Sequence, residues 1–442
     1  MNPLFPPLPA AARHTLDGLG GIIDKVIPLP GRFRAALTRD VAELSRLLTS
    51  GREERGASYL GRPALLSAYL RYFLPWNVYR LCRLFSALPL NLQARDGVND
   101  FGAGPLTLTM ALWISRPDLR KLPLEFRCLD RTAAVLEAGK KIFTALCAET
   151  GGAAGNCPWE IRTIRGELRT AGSRNFGSRR GGGLSVEIRG KPAALSAAVN
   201  VYNELFWSFS PADTEGLSRF AGHQARLLSS LTENSGSVLV VEPGIPRSGE
   251  FISLLRSALM NEGRLPLSPC VHPGPCPMSG VNQRFSASRR SGKWCHFTFD
   301  TEDAPKELLK LSAASAIPKE RAALSFLLAG PVSPAPQQTR STGNADLPPE
   351  KSVPARPVKI RILSDAFPVD PAGENNRARK PKHTGPEKGQ SSFGRYGCSS
   401  CGLVLVTGTR ETLEASPSGS LENLPLIDGL KDAKSGAQLA KL

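Results

Sequence analysis

Over the first 90 residues apolar side chains return every three or four positions. "RDVAELSRLLTS" (39–50) and "LLSAYLRYFLPWNVYRLCRLFSALPL" (65–90) show it most clearly, with basic residues between the apolar ones. That period predicts helices. From residue 98 the texture changes. Short apolar runs ("GVNDFGAG", "EFRCLD", "WEIRTIRGE", "LSAAVNVYNEL" and "GSVLVVEPG") alternate with helical stretches, the pattern of βαβ units and of an α/β fold. The chain divides into a helical region (1–90), an α/β domain (91–262) and a Cys-rich loop region (263–330). A basic, Pro-rich linker (331–393) and a C-terminal segment (394–442) follow. Within the α/β domain, "RTAGSRNFGSRRGGGLSVEIRGK" (169–191) is too rich in Gly and Arg for a core helix and reads as a basic insertion. "IPKERAALSFLLAG" (317–330) reads as a helix or strand returning to the body. "VKIRILSDAF" has strand character inside the linker, "GRYGCSSCGLVLVTG" (394–408) restores order, and the last thirty residues read as a polar, frayed tail.

Charge narrows the partners. The formal net charge is +17 over 442 residues. Such an excess of Lys and Arg points to a polyanion, with nucleic acid first because those side chains displace its counterions. No apolar run reaches the roughly 18 to 20 residues needed to span a bilayer, and no membrane partner is expected. The N-terminus lacks the basic and apolar regions of a secretory signal. Nine scattered cysteines, an odd number, favour free thiols or metal ligands in a reducing compartment. That compartment is the cytoplasm of a bacterium, or the mitochondrial matrix if the source is eukaryotic.

"VNDFGAGPLTLTMALW" (98–113) runs from a strand through Asp100, Gly102 and Gly104 into a helix. Glycines permit a tight turn and close approach of a ligand to backbone N–H groups at the helix start. The full dinucleotide pattern is absent, since Thr107 stands where its third glycine would be, and no Gly-Lys-Ser/Thr follows. D-x-G-x-G suits a ligand with a charged amino-acid tail and no pyrophosphate, namely S-adenosylmethionine. Asp130 ends the next strand, where an acid accepts from ribose hydroxyls. Glu167 ends the third, near the expected adenine. Asn200, with Asn203 and Glu204, follows the fourth at the carboxyl edge, where open α/β sheets bind ligands.

Three of the nine cysteines and two of the five histidines fall in one looped stretch, "SPCVHPGPCPMSG" (268–280) and "KWCHF" (293–297). Cys270, Cys276 and Cys295 are spaced C-x5-C-x18-C, and Cys398 and Cys401 follow as C-x2-C. The first pair is too wide for a zinc knuckle, and Pro277 after Cys276 is a neighbour common beside iron–sulfur ligands. Four thiolates on looped backbone suit either zinc or a [4Fe–4S] cluster. For His272 and His296, a hydrogen-bonding or RNA-facing role is favoured over ligation.

These motifs, in the order "VVEPGIPRSGEFISLLRSAL", "SPCVHPGPCPM", "KWCHF" and "RYGCSSCGLVLV", resemble the Rsm22 family, the bacterial and mitochondrial methyltransferase-like proteins of the small ribosomal subunit. The resemblance runs from about residue 40 to 408. It implies a class I, Rossmann-like methyltransferase sheet with an N-terminal helical region and a C-terminal Cys-rich metal-binding extension. It also implies association with small-subunit ribosomal RNA and a [4Fe–4S] cluster on Cys270, Cys276, Cys295 and one of the last pair. Cys398 is preferred because the family has Arg-Tyr before this ligand and a Gly-Leu-Val run after it, while Cys401 is an extra cysteine. The basic insertion and the long linker exceed the family core. No catalytic group can be named, since "NVYNELFW" lacks the prolines of amino-N methyltransferases and each Pro-Cys belongs to the proposed cluster. The readings are therefore a ribosomal RNA methyltransferase, monomeric when free, and a non-catalytic small-subunit assembly factor on the same platform.

Overall fold

The computed structural model describes residues 3–54, 59–151, 157–166, 192–206, 209–210, 213–278, 293–331, 357–363, 365–369 and 392–442. An eight-stranded sheet forms the body. β1 (Gly97–Phe101), β2 (Glu125–Asp130), β3 (Glu160–Arg165), β4 (Ala193–Val199) and β5 (Thr232–Pro243) run parallel. β8 (Arg321–Pro331) lies antiparallel to β5, and β6 (Arg264–Ser268) and β7 (Phe297–Asp300) pair antiparallel with β8. The order is β3-β2-β1-β4-β5-β8-β6, with β7 attached to β8. The apolar cores of β1, β4 and β5 are buried on both faces, as strands covered by crossover helices are. All five early runs are strands. The "helix or strand" of 317–330 is a central strand, running against its neighbours.

Strand order reverses between β1 and β4, and ligands bind open α/β sheets outside the carboxyl ends at such a point. Helices α1 (Ala10–Val26), α2 (Gly31–Leu48), α3 (Pro63–Ala68) and α4 (Leu74–Phe85) share one apolar core with the sheet. Between α3 and α4 the turn Tyr69–Phe73 is π-helical, with the Leu74 N–H bonded to the Tyr69 carbonyl. Pro75 explains it: proline has no N–H to continue the α-pattern, and one wider turn absorbs the mismatch. Arg83, only 3% exposed, pairs with Asp303 at 2.6 Å and pins α4 to the segment after β7.

The crossovers carry α5 (Thr107–Ser115) after β1, α6 (Ala133–Thr150) after β2, α7 (Tyr202–Leu205) and α8 (Thr214–Ser230) after β4, and α9 (Pro246–Asn261) after β5. A second, seven-stranded sheet lies beyond. Its order is β13 (Leu421–Leu424), β9 (Val358–Ile362), β11 (Ser392–Ser399), β12 (Gly402–Gly408), β15 (Gln438–Lys441) and β14 (Leu426–Lys431), with β10 (Phe367–Val369) on β11. Ile360, Ile362, Val404, Val406 and Ala440 give it a small core. The expected frayed tail is thus corrected: residues 421–441 supply three strands. The basic insertion 169–191 and Glu167 lie outside the described residues, as does most of the linker. Among the described residues no helix is long and apolar enough to cross a membrane.

Candidate functional site

β1 ends at Asp100 and Phe101. The chain then turns through Gly102, Gly104 and Leu106, at φ 67°, 54° and 60°, into α5. A Cβ on Gly102 would stand 2.5 Å from Val201, so this position is glycine for space as well as for backbone angle. At Gly104 a Cβ would meet nothing within 4 Å. The backbone there has an open side that a ligand can approach. The Gly104 N–H donates to Asp130 Oδ2 at 3.0 Å, and the Thr132 N–H to Oδ1 at 2.8 Å. Asp130 therefore sets the loop's shape, and each of its oxygens has a second lone pair for a ligand hydroxyl. Burial raises its pKa, while those two N–H groups pull it down.

Asp100 is fully enclosed, and its Oδ2 has no hydrogen-bond partner among the described residues. Burial, and then the charge of Asp130, push its pKa up to about 8. A buried, unpaired carboxyl is costly unless a donor or cation reaches it. Asn200 adopts φ 56°, tolerable for Asn, and its N–H bonds the Val241 carbonyl at 2.8 Å. The turn thus holds the ends of β4 and β5 together.

One acid at this edge was not singled out from sequence. Glu242, fully buried at the end of β5, accepts from the Val201, Tyr202 and Asn203 N–H groups at 3.1, 2.8 and 3.0 Å. Burial raises its pKa to about 8 against the pull of those donors. An acid closing the all-apolar run "VLVV" was the available signal. The N-terminal region covers the edge through Glu204, which accepts from Tyr59 Oη at 3.1 Å and Arg131 Nη2 at 3.3 Å. Asp100, Gly102, Gly104, Asp130 and Asn200 thus come to one end of the sheet, with Glu204 and Glu242 beside them.

The cysteines form a separate centre on the side of β6, β7 and β11. Cys270, Cys276, Cys295 and Cys398 are each half-buried. Burial raises the Cys295 thiol most, and Cys270, Cys276 and Cys398 each add to it, so the four lie within electrostatic reach. Cys276 is pushed up to about 11 by burial and then by Cys270. Cys401 is exposed, on the turn after β11, with its Sγ 3.9 Å from Ser400 Oγ. His272 Nε2 lies 3.5 Å from Cys398 Sγ, whereas His296 Nδ1 lies 3.1 Å from the Trp294 carbonyl. Among the described residues no three His, Cys, Asp or Glu side chains converge closely enough to hold a metal ion. The thiols are neighbours, not a closed cage.

Two arginines organise this loop. Arg256 of α9, only 3% exposed, donates through Nε to Cys270 Sγ at 3.2 Å and through Nη2 to the His272 and Gly274 carbonyls at 2.8 Å. Arg361 of β9 donates to the Pro269 carbonyl at 3.0 Å and the Gly419 carbonyl at 2.8 Å, linking the two sheets. Neither arginine was picked out from sequence. These five bonds tie the loop to α9 and to the second sheet.

No protein-family profile matches the sequence, and no curated protein matches it. Among solved structures, a methyltransferase from Pyrococcus furiosus is 10% identical over 40% of this chain and 68% of its own, with a TM-score of 0.24. Geranyl diphosphate methyltransferase, in complex with GPP and sinefungin, is 12% identical over 68% of this chain and 100% of its own, at 0.28. The cyclopropane synthase MmaA2 from Mycobacterium tuberculosis is 9% identical over 69% and 99%, at 0.27. These similarities are structural and distant, and no family is assigned by them.

Proposed function

We propose that this protein binds S-adenosylmethionine at the carboxyl edge of β1, β2 and β4 and acts on, or assembles, small-subunit ribosomal RNA. The observation that carries the cofactor half is the open side of Gly104 beside the Asp130 carboxylate, with the unpaired buried Asp100 behind it. Bound there, S-adenosylmethionine supplies an electrophilic methyl group. Gly102 and Gly104 let it approach, Asp130 accepts from its ribose, and Asp100 answers its positive charge. The ribosomal half rests on the net charge of +17 and on the motif resemblance to the Rsm22 family.

The same reading gives Cys270, Cys276, Cys295 and Cys398 a [4Fe–4S] cluster, with zinc as the alternative. The donor chemistry fits: four soft thiols, with Arg256 and Arg361 near enough to offset thiolate charge. The backbone beside Cys270 is already held by the two arginines. A non-catalytic role has one specific observation in its favour. Glu242, the acid best placed beside the β4 edge, is engaged by three backbone N–H groups and holds α7.

Calorimetric titration with S-adenosylmethionine tests the cofactor site. The wild type is expected to bind, and Asp130→Ala to bind at least tenfold more weakly. Equal affinity would remove Asp130 from the site, and absence of binding in the wild type would overturn the cofactor reading.

A further inference from the structure

The helical stretch from Tyr69 to Phe85 is largely buried, and apart from Arg71 its partly exposed side chains fall in one row. Tyr69, Phe73, Asn77 and Arg80 are partly exposed, while residues 70, 72, 74–76, 78 and 79 between them are buried. Steps of four, four and three residues put the row on one helix face. Tyr69 opens the π-helical turn, a distortion found often at functional sites. Its ring stacks on Phe73 at 5.8 Å. The Asn77 amide faces its phenol, and Asn77 Oδ1 accepts from Arg80 Nη2 at 2.5 Å.

The row looks onto the carboxyl edge of the main sheet. Burial raises the Tyr69 phenol, and the charges of Glu204 and Asp130 raise it further, while Glu242 acts on Arg80. Arg80 Nη1 donates to the Ala323 carbonyl at 3.1 Å, at the start of β8. Ala323 backs onto Gly244, where a Cβ would lie 2.9 Å from the Ala323 methyl. The Gly244 carbonyl in turn accepts from Trp294 Nε1 at 3.1 Å, and the Trp294 ring stacks on His296 at 4.6 Å. A phenol, an amide and a guanidinium fork are therefore lined up beside the cofactor edge. Two of the fork's five donors are engaged in the bonds named above.

We propose that Tyr69, Asn77 and Arg80 form the wall of a pocket that receives an unstacked nucleobase of single-stranded RNA, with the stacked Tyr69 and Phe73 rings as its aromatic part. Planar donors and acceptors in a row match the edge of a base, and aromatic faces stack on its plane. The guanidinium, in a chain with an excess of 17 positive charges, also favours a polyanionic ligand. This pocket rests on the RNA half of the reading above and is independent of whether methyl transfer follows.

Photo-crosslinking of the full chain to small-subunit ribosomal RNA substituted with 4-thiouridine tests it. Adducts are expected on the segment 63–83. Tyr69→Phe and Arg80→Gln should each lower their yield at least fivefold, with total RNA retention on a filter changing less than twofold. An unchanged circular dichroism spectrum and thermal midpoint in either variant show that its fold is kept, and Tyr69→Phe removes a single oxygen. Abundant adducts confined to other segments would overturn the pocket and leave RNA binding standing. Failure of the wild type to retain RNA at all would overturn both.

Discussion

The two polar centres of this molecule are built in opposite ways. At the carboxyl edge of the main sheet, Asp130 and Glu242 are tied by five backbone N–H bonds to the loops and strands beside them. Their positions follow from the fold itself. In the cysteine centre the thiols come from three distant segments, and His272 meets Cys398 across 126 residues. There the backbone is fixed by Arg256 and Arg361, while the ligand atoms are not gathered round a point. At the first site the protein ties down the acids Asp130 and Glu242 themselves, and at the other it holds the backbone while the thiols stay ungathered. A preformed backbone lowers the cost of closing a metal cage, because the chain entropy is already lost to the fold.

The largest effect that would break this comparison is on metal content. Anaerobically purified wild type is expected to carry about four iron and four sulfide per chain, and Cys295→Ser to lose them. Cys401→Ser should keep its iron, because Cys401 is exposed on the turn away from the other thiols. Stoichiometric zinc without sulfide would replace the cluster with a zinc site on the same residues. Circular dichroism of the metal-free protein sharpens the point: a loop held by arginine bonds should leave most of the native signal, whereas collapse of the fold would mean the metal does the holding.

The next effect is on stability, at the carboxyl edge. Glu242→Ala leaves the Val201, Tyr202 and Asn203 N–H groups without their acceptor inside the protein. Each orphaned buried donor costs about 1 to 3 kcal/mol, so a loss of about 3 kcal/mol or more in urea denaturation is expected. A loss below about 1 kcal/mol would show that water replaces the carboxylate and that the edge is less closed than its burial implies. Glu242→Gln, which keeps one acceptor oxygen, should fall between.

The comparison also explains what could be read in advance. β1 to β5 and the Asp100–Gly104 loop were legible because each is a local pattern: an apolar run, a glycine turn, an acid at a strand end. Glu242 was passed over because it reads as the last residue of a strand, and its partners lie some forty positions earlier. The C-terminal strands were missed for a different reason. β14 has the burial of a surface ribbon, with nearly every residue exposed, and β13 is little better covered. They are held by ladder pairing, β13 with β9 and β14 with β15, and β15 in turn pairs with β12. Such pairing leaves no strong alternation in the sequence. Arg256 was hidden in the same way, as one basic residue among many on a helix. Only the fold shows that it is buried against the cysteine loop.

The smallest effect concerns protons. Asp100 keeps its proton up to about pH 8 in the folded protein, against an ordinary value near 4 in the unfolded chain. Between those values the folded state binds more protons than the unfolded one, so this group's contribution to stability falls as pH rises and is lost through about pH 8. The steepest slope one such group can impose is about 1.4 kcal/mol per pH unit. Glu242, also raised to about 8, acts in the same direction, so its presence in both proteins compared here cancels. Urea denaturation at pH 6.5 and 7.5 should therefore show wild type losing about 1 kcal/mol more than Asp100→Asn over that interval. The difference isolates one carboxyl from every other titrating group. A cationic ligand reverses the preference, since it favours the ionised form. With saturating S-adenosylmethionine the gap between the two proteins should shrink, and S-adenosylmethionine should bind the wild type more tightly at pH 8 than at pH 6.5. An equal pH slope in both proteins would mean that Asp100 is already ionised at neutral pH, with a partner at the edge that its burial and unpaired Oδ2 do not reveal.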